Sequence, residues 1–137
     1  MQLFLPDEAS TLALGARLAA ELRPGDCLLL EGDLGAGKSC LARGIARALG
    51  VSGELPSPTF PIVLEHALPG GRRLCHMDLY RLDSPEEVQG FGIEDYLNDR
   101  AAICLIEWPD RLGWLRPPHA RSVSLRPEAE GRVAEWD

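Results

Sequence analysis

Gly32-Asp33-Leu34-Gly35-Ala36-Gly37-Lys38-Ser39 fits the spacing G-x-x-x-x-G-K-[ST] without a gap. Each position has a physical task. The glycines let the backbone curl so that successive N–H groups point inward, where they can receive phosphate oxygens. A helix that opens directly from the loop adds partial positive charge at its first turn. Lys38 offers a compact, flexible ammonium for the β- and γ-phosphates, and a hydroxyl at Ser39 is suited to ligate Mg²⁺. Lys38 is also the only lysine in a chain that otherwise uses arginine. A guanidinium is planar and wide, so it does not replace an ammonium inside a narrow loop. The same lone lysine rules out the Asn-Lys-x-Asp element that reads guanine, which leaves adenine as the expected base.

A phosphate loop of this kind works with carboxylates that hold Mg²⁺ and orient water. Acids at the C-terminal ends of neighbouring parallel strands face such a loop. Glu107 ends the apolar run Ala-Ala-Ile-Cys-Leu-Ile, and Asp78 follows Leu-Cys-His-Met. Both are candidates. Ser57-Pro58-Thr59 falls where a switch hydroxyl can sense Mg²⁺ or γ-phosphate. On spacing alone it reads equally as a rigid solvent loop, with Pro56, Pro58 and Pro61 restricting the backbone. His76 alternates with Cys75 and Met77 and reads as a structural histidine rather than a general base. Trp108 suits either a cover over the site or a half-buried anchor.

These side chains need strands and helices to place them. Residues 9–22 have the leucine spacing of an amphipathic helix, with Asp7 or Ser10 as the cap. Residues 23–26 form a turn, and 27–32 a short buried strand entering the glycine loop. Residues 38–50 continue as a helix that Gly50 ends. A proline-punctuated loop at 53–61 leads to strands at 61–68 and from 73. Ser84-Pro85-Glu86-Glu87 starts a helix reaching toward Leu97, and 101–108 is the clearest buried strand. Residues 120–137 form a hairpin expected to add an antiparallel edge. Strand, loop, helix and further strands argue a single-domain α/β fold of the P-loop NTPase type over residues 1–137. Its sheet is mainly parallel with antiparallel edge strands, flanked by helices.

The 137 residues carry a formal net charge of -7, and 45% are hydrophobic. That suffices for one core, and it makes the chain a poor partner for a nucleic-acid backbone by itself. No apolar run approaches the roughly 20 residues that cross a bilayer. The opening residues turn acidic at Asp7, unlike a secretory signal. Cys27, Cys40, Cys75 and Cys104 include no C-x-x-C pair and read as free thiols in a reducing cytoplasm.

Taken in order, Gly32 to Ser39, then Ser57-Pro58-Thr59-Phe60, then His76-x-Asp78-x-Tyr80-Arg81, then Glu107-Trp108-Pro109 resemble the bacterial TsaE (YjeE) family. Pro6-Asp7-Glu8 and Gly131-Arg132 fit as well, so the resemblance covers nearly the whole chain. It implies a cytoplasmic Mg²⁺-dependent ATPase that serves N6-threonylcarbamoyladenosine formation at position 37 of tRNA. The partners it implies are TsaB and TsaD, with tRNA met only through that complex and no membrane. By position, it implies a phosphate loop of Leu34, Gly35, Ala36, Gly37, Lys38 and Ser39. Ser39 and Glu107 become the Mg²⁺ ligands, and Glu8 and Arg132 contact the nucleotide. Thr59 becomes the switch hydroxyl, and Asp78 an acid needed for hydrolysis. Ser39-Cys40 stands where the family commonly has Thr-Thr, and Pro61 follows the Ser-Pro-Thr-Phe element. A nucleotide-gated binding module and a small-molecule kinase are the alternatives. For the kinase, the short proline-rich stretch after Glu107 offers no arginine-rich lid.

Overall fold

The computed structural model describes residues 1–33, 35–52 and 62–137. The strands are β1 (Gln2–Leu5), β2 (Cys27–Glu31), β3 (Val63–Ala67), β4 (Arg73–Asp78), β5 (Ala102–Glu107), β6 (Arg121–Glu128) and β7 (Gly131–Trp136). The helices are α1 (Glu8–Ala19), α2 (Lys38–Leu49), α3 (Pro85–Gly90) and α4 (Ile93–Leu97), with 3₁₀ stretches at Pro69–Gly71 and Pro109–Leu115. These strands form one sheet in the order β1-β7-β6-β2-β5-β4-β3. Its centre, β6-β2-β5-β4, is parallel. β7 and β1 make one antiparallel edge and β3 the other.

Side chains alternate across the sheet. Leu28, Leu30, Leu74, Ile103 and Leu105 point to one face, where Leu14, Leu18, Leu41 and Ile45 of α1 and α2 cover them. Leu29, Cys75, Met77, Cys104 and Ile106 point to the other, beneath Val88, Ile93 and Leu112. Central strands buried on both faces read as continuous apolar runs, which is why 27–30 and 102–106 stood out in the sequence. All four cysteines are buried and free. Helices α1 and α2 cross closely at Gly44, where an added Cβ would stand 2.6 Å from the Leu12 carbonyl oxygen. That contact seats the α2 N-terminus, and so the glycine loop, against the start of α1.

Three details differ from the sequence reading. The helix opening at Ser84 divides at Gly92, whose φ of 74° ends one helical turn and starts another. β6 is parallel to β2, so within the final hairpin only β7 runs antiparallel to the sheet. The N-terminal strand β1 was not anticipated, because three of its four residues are exposed and leave no alternating signal. It matters for the site: Leu5 pairs with Arg132, so β1 brings the next turn of chain, Pro6 to Glu8, alongside Arg132. Asp7 then caps α1 by accepting from the Ser10 N–H at 2.8 Å, with the Ser10 hydroxyl accepting from the Asp7 N–H in return.

Candidate functional site

β2 ends at Glu31 and the chain turns through the glycine loop into α2. Gly37 sits at the helix entry with φ 104°. A Cβ there would stand 1.9 Å from Arg132 Nη1 and displace that guanidinium, while the backbone conformation itself favours glycine. Lys38 follows, only 5% exposed. Its Nζ donates to the Gly32 carbonyl oxygen at 2.5 Å and lies 3.8 Å from the centre of the Trp108 ring. Trp108 has φ 58°, a left-handed value rare for a bulky residue and found preferentially at functional sites. Ala36 is buried in the core beneath the loop, its N–H closing a turn on the Asp33 carbonyl at 3.0 Å.

The two candidate acids are partners in register, Asp78 on β4 against Glu107 on β5. Backbone bonds fix both: the Asp78 N–H reaches Ile62, and the Leu79 N–H reaches Glu107. Asp78 Oδ1 accepts from the Tyr80 N–H at 3.0 Å. Glu107 is 4% exposed, and its Oε2 lies 2.7 Å from His76 Nε2. Among the described residues neither acid forms a salt bridge with Lys38. Burial pushes the Lys38 ammonium below its usual range, against the opposing pull of Glu107, Asp78 and other acids. Burial likewise pushes the Asp78 carboxyl up, with the Glu107 charge adding to it and the Tyr80 N–H opposing.

One cavity of about 430 Å³ gathers these groups. Of the residues predicted from sequence, Glu8, Gly35, Gly37, Lys38, Ser39, Asp78, Glu107 and Arg132 line it. Ala36 does not, since it faces the core. Leu34 and Thr59 lie outside the described residues. The cavity also includes Cys40, Arg43, Tyr80 and Trp108. Arg43 pairs with Glu8 at 2.8 Å, and it sits four residues after Ser39 on α2, a spacing that puts both on one helix face. Tyr80 packs on Trp108 with ring centres 5.0 Å apart, and each aromatic sits within two residues of a candidate acid.

The donor set fits a hard cation of the Mg²⁺ kind. It offers carboxylate oxygens from adjacent strand ends and a serine at a helix start, with no soft ligand required. Among the described residues no group of three His, Cys, Asp or Glu forms a closed cage. An ion of this kind takes only one or two protein ligands and completes its shell with phosphates and water.

A parallel sheet, a glycine loop opening into a helix, and paired acids at the neighbouring strand ends define a P-loop-like nucleotide-binding protein. Comparison narrows the class. The family model described as threonylcarbamoyl adenosine biosynthesis protein TsaE matches residues 5–134, and the chain belongs to that family. It is similar to the tRNA threonylcarbamoyladenosine biosynthesis protein TsaE of Synechocystis, with 45% identity over 82% of this chain and 72% of the relative. The Nostoc protein of the same name is 41% identical over 98% and 83% of the two chains. The crystal structure of Bacillus subtilis YdiB superposes with a TM-score of 0.82 at 28% identity, covering 99% of this chain and 83% of that one.

Proposed function

We propose that this protein binds and hydrolyses ATP with Mg²⁺ in tRNA N6-threonylcarbamoyladenosine synthesis, acting in the cytoplasm on a TsaB–TsaD complex. The observation that carries the reading is the pairing of Asp78 with Glu107 at the strand ends that share a cavity with the buried Lys38. Lys38 and Glu107 are buried and Asp78 half-buried, and such groups, held without closing on one another, are costly unless a ligand completes them. A triphosphate with its cation brings both signs of charge that this arrangement can accept.

In this reading the loop from Leu34 to Ser39 receives the phosphates. Lys38 leaves the Gly32 carbonyl for the β- and γ-phosphate oxygens. Ser39 and Glu107 hold Mg²⁺, which supplies charge neutralisation at the transferring phosphoryl group. Asp78 orients and deprotonates the attacking water, and its raised pKa suits a base that must take up a proton. Arg132 and Glu8, brought together by β1 and β7, contact the nucleotide. Thr59 acts as the switch hydroxyl. The net charge of -7 favours contact with tRNA through protein partners rather than directly.

The test is ATP turnover by the purified chain, alone and with a TsaB–TsaD pair and tRNA. Turnover that rises on adding the pair supports the proposal. Turnover left at background, with ATP still strengthening association, would assign the chain as a nucleotide-gated binding module instead.

A further inference from the structure

Glu107 has a partner that the proposed chemistry does not use. His76 is 1% exposed, and it stands two residues before Asp78 on the same face of β4. Its register partners are Leu64 on β3 and Leu105 on β5, so apolar side chains flank the ring along both neighbouring strands. Nε2 stands 2.7 Å from Glu107 Oε2, within hydrogen-bond distance of the carboxylate. Nδ1 is buried, and no described residue offers it a partner. The Nδ1–H tautomer would set a ring lone pair against the carboxylate and bury an N–H with no acceptor. An unpaired buried acceptor is the better tolerated of the two. The geometry therefore assigns a proton to Nε2, donated to Glu107.

Glu107 is also exposed to a competing attraction. The Glu107 charge attracts the Lys38 ammonium and favours its charged form, yet the lysine donates to Gly32 and forms no salt bridge with Glu107 among the described residues. A carboxylate free to rotate would close on Lys38, cancelling the charge meant for phosphate and removing the oxygens meant for the cation. Building on the Mg²⁺–ATP reading above, we propose that His76 is the positioning residue of this site. It holds Oε2 of Glu107, keeps the carboxylate off Lys38 and leaves Oε1 for the cation. Residues that orient a metal ligand in this way commonly change metal affinity or activity by about 10–100-fold when removed.

The experiment uses the full chain with His76→Ala and His76→Gln. A Gln side chain can return an N–H near the place of Nε2, whereas Ala cannot. Binding of ATP is titrated calorimetrically across a Mg²⁺ series and in chelator. For His76→Ala the Mg²⁺ needed for half-maximal enhancement is expected to rise about tenfold or more. Affinity in chelator stays within about twofold of wild type, and His76→Gln regains most of the loss. At saturating Mg²⁺, kcat falls with little change in KM for ATP. An unchanged Mg²⁺ requirement in His76→Ala overturns the proposal, as does an equal loss with and without Mg²⁺. If the wild-type chain binds ATP indifferently to Mg²⁺, the site reading itself fails and this inference falls with it. Should His76→Ala not fold, the ring ¹⁵N spectrum of the wild-type chain decides. A protonated Nε2 with unprotonated Nδ1 supports the proposal, and the reverse tautomer overturns it.

Discussion

At the N-terminal end of β4, Arg73 is shared between Glu65 and Asp99, and all three side chains keep part of their surface in water. At the C-terminal end, five residues further along the same strand, Asp78 stands beside Glu107 in a cavity with a buried lysine that bonds to neither. Charge at the first end is neutralised and screened. At the second, Lys38 and Glu107 are desolvated and Asp78 half so, and like sits beside like. Exposed ion pairs contribute little to stability, and buried uncompensated charges subtract from it. The fold thus keeps its unfavourable electrostatics at one end of one strand pair. Places where a chain departs from local consistency in this way are where function is expected.

Lys38→Met attacks the comparison most strongly. It should weaken ATP binding by a few kcal/mol, as for loss of a charge-assisted contact, when followed by calorimetry. Arg73→Ala should leave that affinity within about twofold. Equal losses from the two would erase the distinction between the strand ends.

Asp78→Asn should come next in size, lowering ATP turnover by about a hundredfold or more while changing ATP affinity far less. Its effect on stability should have the opposite sign. Because the folded-state pKa of Asp78 is raised, the folded protein binds the carboxyl proton more tightly than the unfolded chain. The ionised acid therefore costs stability as pH rises from the usual carboxylate value through the raised one, and the full cost is present at neutral pH. Asp78→Asn should unfold at a slightly higher temperature than wild type at pH 7, by less than about 1 kcal/mol for a half-screened group. The gain should vanish once both states are protonated at low pH. A drop in melting temperature at pH 7 would show that Asp78 is a stabilising structural acid.

The smallest effect belongs to the other end. Asp99→Asn removes one Arg73 partner and should lower stability only slightly in denaturant titration, less in high salt, with turnover unchanged. A salt-insensitive loss of several kcal/mol would mean that this end is not the screened one.

Much of this was legible in the sequence where a motif and an element coincide. The glycine loop, the α2 helix and the β5 run ending in Glu107 carry strong local signals, since central parallel strands are apolar throughout. The Asp78–Glu107 pairing was readable only as two strand ends, because register is a tertiary property. Arg132 and Glu8 came from resemblance, and the physical reason they meet is β1, a short exposed strand with no pattern of its own. His76 was read as structural. That reading caught its burial but not its partner, since β4 and β5 are about thirty residues apart in sequence and nothing local links them. Trp108 left two readings open, and both hold: it is half-buried against the core and lines the cavity over Lys38. Thr59 and Leu34 fall outside the described residues.

The most direct test of the central claim, that the charged end of β4 and β5 is a Mg²⁺–ATP site, is calorimetric titration of ATP into wild type and Glu107→Gln, each with Mg²⁺ and in chelator. Gln retains an acceptor for the His76 N–H but lacks the charge. The account expects Mg²⁺ to strengthen ATP binding to wild type about tenfold or more, and to leave binding to Glu107→Gln nearly unchanged. The same enhancement in both proteins would contradict it.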